Sequence, residues 1–252
     1  MSVPGWEQIE PEAAALVAAA SQRRLTLRMV GSVGIRLHCA GAANALDLRH
    51  RPAKDIDAVC GREHRKGVRE LLEECGYVVD RDLLVAMEGT RYAFRHPGTG
   101  VEVDLFVDRL AFCHTIELRD RFARHATTIP VDDLLLQKLQ IVEPVTTDLL
   151  DVAALLETHA VAPGPLAAAD GVETIDAGYV AGLLARDWGF HHTATANLER
   201  LRAKAEAAAR DRIEALLEAI EAAPKSLKWR ARARVGERVQ WWQDVDERAV
   251  TY

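Results

Sequence analysis

The chain has no excess of positive charge, no paired cysteine motif, no long apolar run and no common nucleotide-loop signature. Its 252 residues carry 32 Lys and Arg against 38 Asp and Glu, a formal net charge of -6. Overall basicity therefore cannot hold a nucleic acid, although a local patch can serve. The four cysteines, Cys39, Cys60, Cys75 and Cys113, include no C-x-x-C pair. No stretch resembles a signal peptide or reaches the roughly 20 apolar residues that span a bilayer. A cytoplasmic protein with reduced thiols and no membrane partner is expected. Absent too are G-x-x-x-x-G-K-[ST] and G-x-S-x-G, and Gly31-Ser32-Val33-Gly34 is not G-x-G-x-x-G. P-loop, dinucleotide-binding and serine-hydrolase readings are set aside. His114 and the pair His191-His192 lack the spacing of a metal cluster and read as core or surface histidines.

What is present is ordinary globular composition, 49% apolar and 28% charged, enough for one large domain or a domain with a sizeable second lobe. Pro11 and Glu12 open a helical pattern to about residue 24, followed by a buried strand at 25–30, a Gly31-Ser32 turn and a helix from Val33 to Ala40. A polar, basic loop at 47–54 leads to a strand at 55–59, and a helix at 63–75 stops at Gly76. Strands are expected at 77–79, 91–95 and 101–107, the last two joined by His96-Pro97-Gly98-Thr99-Gly100. Past Pro130 the texture becomes helical, with helices expected at 132–142, 147–157, 175–186, 195–210 and 212–222. The expectation is an α/β (α+β) part over 1–130, a mixed sheet with flanking helices, and an all-helical part over 131–252.

Within that frame, Asp55 and Asp57 lie two apart in a short apolar run, so on a strand both carboxylates leave one face while Ile56 and Ala58 enter the core. The segment Val101-Glu102-Val103-Asp104-Leu105-Phe106 alternates in the same way, and a neighbouring strand would supply Asp104 as a third carboxylate. Converging carboxylates repel one another, and a divalent cation turns that penalty into binding. Mg2+ or Mn2+ is the natural partner, held by few protein oxygens with positions left for water and phosphate. Gly31 and Ser32 supply the complement: glycine lets backbone approach a phosphate, the following helix presents free N–H groups, and Ser32 adds a hydroxyl. Together these groups suit a triphosphate attacked at its α-phosphate.

Val30-Gly31-Ser32, Asp55-Ile56-Asp57 and Asp104, in that order, resemble the nucleotidyltransferase superfamily related to DNA polymerase β. The resemblance covers about residues 25 to 156 and is strongest to the AbiEii and MenT group of minimal nucleotidyltransferases, which includes toxins of toxin-antitoxin systems. There the acidic strands are followed by a helix carrying a lysine and then an Asp-rich helix, similar to Asp133-Leu134-Leu135-Leu136-Gln137-Lys138-Leu139 and Asp148-Leu149-Leu150-Asp151. The resemblance implies metal held by Asp55, Asp57 and Asp104, nucleotide such as ATP held by Gly31, Ser32 and Lys138, and an antitoxin protein as a partner. Lys138 reads equally as a solvated helix lysine. Lys54 and Arg51, just before the first Asp, are assigned to phosphate or acceptor, with a solvated loop as the alternative. Between Ser32 and Asp55 stand 22 residues, longer than the usual spacing, so 41–52 reads as an insertion.

Near the end, Lys225, Lys228, Arg230, Arg232, Arg234 and Arg238 interleave with Trp229 and precede Trp241 and Trp242. Such a segment can grip an RNA backbone and stack on bases, or it can be a solvated helix whose tryptophans pack inward. Three functions follow. The first transfers a nucleoside monophosphate to an RNA hydroxyl, as on tRNA; the second uses a small-molecule acceptor resembling an aminoglycoside; the third binds nucleotide without turnover.

Overall fold

The computed structural model describes residues 4–39, 55–164 and 173–244. The chain divides into two compact units, one of Met1–Leu110 with Glu117–Pro130 and the other of Ala111–Ile116 with the residues from Val131 onward.

The first unit opens with α1 (Trp6–Gln22), which buries Ile9, Ala13, Leu16, Val17 and Ala20. These positions recur at the three- and four-residue spacing of one helix face. The helix begins five residues ahead of the expected Pro11. Ile9, four residues before Ala13 and fully buried, extends the apolar stripe and outweighs the N–H that Pro11 lacks. β1 (Leu27–Met29), α2 (Gly31–His38) and β2 (Asp55–Cys60) follow, then α3 (Arg65–Glu74), β3 (Val78–Val79), α4 (Arg81–Ala86), β4 (Arg91–Arg95) and β5 (Glu102–Val107). The sequence reading has no α4; Asp80 caps it by accepting the N–H groups of Asp82 and Leu83.

The five strands form one sheet in the order β1-β2-β5-β4-β3. β2 and β5 run parallel and the other neighbours antiparallel. Parallel neighbours need a long crossover, here residues 61–101 with α3, β3, α4 and β4. One face is core: Leu27, Met29, Ile56, Ala58, Tyr92, Phe94, Val103 and Leu105 pack with the buried stripe of α1 and with Val68, Leu71 and Leu72 of α3. The other face is the polar one that carries the acids.

A short hairpin, β6 (Arg109–Ala111) and β7 (Thr115–Glu117), and a 3-10 turn (Arg119–Arg124) precede the helices. The second unit holds α5 (Val131–Leu139), α6 (Thr146–Thr158), the paired β8 (Val161–Ala162) and β9 (Ile175–Asp176), then α7 (Ala177–Leu184), α8 (Trp188–Arg202), α9 (Ala207–Ala222) and α10 (Leu227–Val235). It is helical as expected, apart from the two-residue strands β8 and β9. α8 starts seven residues before the expected 195, because Asp187 accepts the N–H of Phe190 at 3.1 Å and Phe190 is buried. The four cysteines are free thiols. Among the described residues, no helix is long and apolar enough to cross a membrane.

Candidate active site

Register decides which side chains share the polar face. β2 and β5 pair Asp55 with Glu102 and Asp57 with Asp104, and in-register neighbours point the same way. The three predicted carboxylates therefore stand on one face of two adjacent strands. The flanking strands add cations to that face: Arg28 of β1 pairs with Val59, and in β4 Arg91, Ala93 and Arg95 pair with Phe106, Asp104 and Glu102. Asp55, Asp57 and Asp104 are each partly exposed, as their alternation with buried neighbours requires.

Gly31 meets this face at the start of α2. Its φ of +59° lies in the left-handed region, which glycine adopts without the penalty a side chain brings. Space requires glycine as well, since a Cβ built there would lie 2.2 Å from Oδ2 of Asp57 and 3.0 Å from its Cγ. The N–H of Val30 donates to the Asp57 carbonyl at 2.9 Å, which locks the turn to β2. Ser32 follows, half-buried, in the first turn of α2. α2 has no acid in its first turn and Arg36 and His38 in its last, so the helix dipole is complemented at its carboxyl end, and the Asp57 carboxylate lies beside its amino end. The donor set of three carboxylates, all hard oxygens, suits Mg2+ or Mn2+.

Arg91 is the residue the sequence reading misses. Its Nη2 donates to Oδ2 of Asp104 at 2.6 Å and its Nε to Oδ1 at 3.3 Å, a two-pronged pair. The Arg91 side chain is only 7% exposed, with its guanidinium 5.0 Å from the centre of the Phe106 ring. A signal did exist: Arg91, Ala93 and Arg95 alternate in a strand that the turn at 96–100 folds back on β5. Reading it needs the register, which puts Ala93 opposite Asp104.

Just past β5, buried Asp108 adopts a φ of 65°. It accepts the Arg62 N–H at 2.8 Å and Nη2 of Arg119 at 2.6 Å. Burial pushes its carboxyl up, but those hydrogen bonds and the charges of Arg119 and Arg62 outweigh burial, leaving it below the usual carboxylate range. Asp108 ties the exit of β5 to residues on either side of it in the chain.

Lys138 belongs to the second unit, where Nζ lies 2.9 Å from both Asp148 Oδ1 and Asp151 Oδ2. Lys138 and the Asp-rich helix are thus partners in one largely buried ion cluster. Lys54, Arg51 and the 41–52 insertion lie outside the described residues.

In the basic segment the rings and the charges part company. Trp241 donates from Nε1 to the Thr193 hydroxyl at 3.1 Å, Trp229 meets His191 edge-on, and Arg232 stacks over Trp188 while bonding the carbonyls of Gly236 and Val239. Lys228, Arg230, Arg234 and Arg238 are exposed. His114 is a core histidine, stacked on Phe190 and 3.0 Å from the Thr193 hydroxyl.

No protein-family model and no curated protein matches the chain. Among solved structures it is similar to an antigenic nucleotidyltransferase-like protein from Paracoccidioides brasiliensis, at 12% identity over 89% of this chain and 97% of that one, with a TM-score of 0.46. It is also similar to ANT(2")-Ia, solved in complex with adenylyl-2"-tobramycin, at 13% identity over 58% of this chain and 88% of that one, with a TM-score of 0.40. The solution structure of ANT(2'')-Ia, an antibiotic-resistance factor, gives 13% identity, 58% and 82% coverage and a TM-score of 0.38.

Proposed function

We propose that the protein is a metal-dependent nucleotidyltransferase that moves a nucleoside monophosphate from a nucleoside triphosphate, such as ATP, to a hydroxyl acceptor. The observation that carries this reading is a meeting of three chain segments within one unit: Gly31 abuts Asp57, and Asp57 stands in register with Asp104. A triphosphate needs N–H donors on some of its oxygens and cations on the rest, and these segments offer both kinds of partner.

Asp55 and Asp57 are the metal ligands of this reading, with Asp104 as the third carboxylate. A bound Mg2+ or Mn2+ supplies charge neutralisation at the reacting phosphate and its leaving group. The Gly31 turn and Ser32 hold phosphate oxygens, and the family resemblance assigns Lys54 to the nucleotide as well. The acceptor oxygen bonds to the α-phosphorus as the bond to the bridging oxygen breaks. Pyrophosphate departs with that electron pair, and a carboxylate of the face takes the hydroxyl proton.

RNA, such as tRNA in a toxin-like role countered by an antitoxin protein, is the acceptor we favour. The segment 225–238 holds six cations and one acid, a net +5 in a chain of -6, so the remaining residues carry -11. A cationic small molecule is the second reading, and that acidic remainder favours it.

Purified protein incubated with one labelled nucleotide at a time, Mg2+ or Mn2+ and total RNA is expected to yield labelled RNA. Asp57→Asn should lose more than about 100-fold of that rate, because even outer-shell changes around a metal cost 10- to 100-fold. Equal transfer by the variant overturns the site. Label on an aminoglycoside instead of RNA selects the second reading, and nucleotide binding without transfer to either selects the non-catalytic module.

A further inference from the structure

The polar face contains a cation of its own, and its position bears on how metal is taken up. Asp104 presents two oxygens, and Arg91 engages both, at 2.6 and 3.3 Å. The reach is diagonal: Asp104 faces Ala93 directly, Arg91 sits two residues along β4, and the short side chain of Ala93 leaves the crossing clear. Arg91 is held in place from the other side by Phe106, its own in-register partner, whose ring centre is 5.0 Å from the guanidinium. A buried guanidinium is costly to leave without a carboxylate, so the pair is self-maintaining. Asp57 is the in-register neighbour of that same Asp104 on β2. Arg91 and a cation bound at Asp57 thus approach one carboxylate from opposite strands.

We propose that Arg91 is a positioning residue that withholds Asp104 from metal: the resting site binds a divalent cation through Asp55 and Asp57, and Asp104 joins only when Arg91 yields. This rests on the metal-dependent reading of the same face. The guanidinium places a positive charge directly against the Asp104 carboxylate and so weakens the pull of that carboxylate on a cation. A second ion would face a positive guanidinium already seated on the carboxylate it needs, so the device limits the resting site to one cation. It also fixes the direction in which the Asp104 oxygens point before any ligand arrives.

Mn2+ binding without nucleotide, followed by the electron paramagnetic resonance signal of the free ion, tests this on the full chain. Asp57→Asn is expected to weaken binding by more than about tenfold, as loss of a ligand should. Arg91→Met removes the competing charge and is expected to tighten binding by about tenfold or to add a second equivalent. The double variant Arg91→Met with Asp104→Asn deletes the neutral pair as a unit and is expected to stay within about threefold of wild type. A residue that only supports the fold would weaken Mn2+ binding when removed, never strengthen it. The proposal is overturned if Arg91→Met binds Mn2+ no better than wild type, or if the double variant loses as much as Asp57→Asn. Should Arg91→Met not fold, the double variant decides alone, since it buries no unpaired charge. An unchanged titration in Asp57→Asn would instead remove the metal reading itself, and the Arg91 proposal with it.

Discussion

At Gly31 one missing carbon atom governs the geometry of the carboxylates. Gly31→Ala adds a Cβ 2.2 Å from Oδ2 of Asp57 at a φ of +59°. The left-handed backbone alone costs roughly 1–2 kcal/mol for a residue with a side chain, and the clash is relieved only by moving Asp57. A melting temperature lowered by several degrees, together with Mn2+ affinity lowered toward that of Asp57→Asn, is expected from thermal denaturation and metal titration of this variant. Full affinity in the alanine variant would mean that the turn does not shape the carboxylate. The placement of Gly31 between strand and helix, and of Asp55, Asp57 and Asp104 on one face, was legible in the sequence because each departs from a local pattern: small residues between strand and helix, or acids alternating with buried aliphatics. Arg91 was not, because its role depends on which strand lies beside β5, and sheet order is non-local information. The Asp148 and Asp151 partners of Lys138 were legible as neighbours in sequence but not as bonds.

Among the elements, α10 separates most cleanly into a packed and an exposed half. Arg232 and Trp229 pack and bond within the second unit, whereas Lys228, Arg230, Arg234 and the following Arg238 project without being buried. Replacing these four by glutamine should leave the melting temperature nearly unchanged, since exposed charges contribute little to stability. If RNA is the acceptor, as proposed above, its binding should weaken, and the slope of log affinity against log salt should fall by about 3, at roughly 0.7 per phosphate contact on a single strand. An unaltered slope by filter binding would show that this helix does not meet the RNA backbone. Element boundaries were read unevenly. β2, β4 and β5 stand nearly where alternation puts them. The break between α8 and α9 falls at Ala203-Lys204-Ala205-Glu206, with neither Gly nor Pro to mark it, so a continuous alanine-rich pattern concealed it. α4 was missed because six residues are too few to show a helical period, although Asp80 carried its capping signal.

For the whole molecule, acid is the condition to which stability should respond first. Burial pushes the His114 and His191 rings down to about 4 from 6.5, with the charge of Lys225 adding to the effect at His191. Rings held neutral in the fold bind fewer protons than they do unfolded, so stability rises with pH across that interval. The contribution is complete above about pH 6.5 and is lost as pH falls toward 4. Calorimetric melting temperatures should be level above 6.5 and decline below it, and His114→Gln with His191→Gln should flatten the decline. A decline of the same steepness in that double variant would assign it to other groups. The onset of helices past Pro130 was readable because alternation gives way to helical spacing there, while the assignment of 111–116 to the second unit was not, since nothing local distinguishes that hairpin tip. The crossover of 61–101 has a consequence for synthesis. A nascent chain that has emerged only as far as β4 has made Asp55 and Asp57 but not the strand that pairs with them in parallel, so β2 waits with an open edge. Ribosomal pausing or truncation in that interval leaves a sticky intermediate, and the shared acidic face is completed only when β5 slides into the gap.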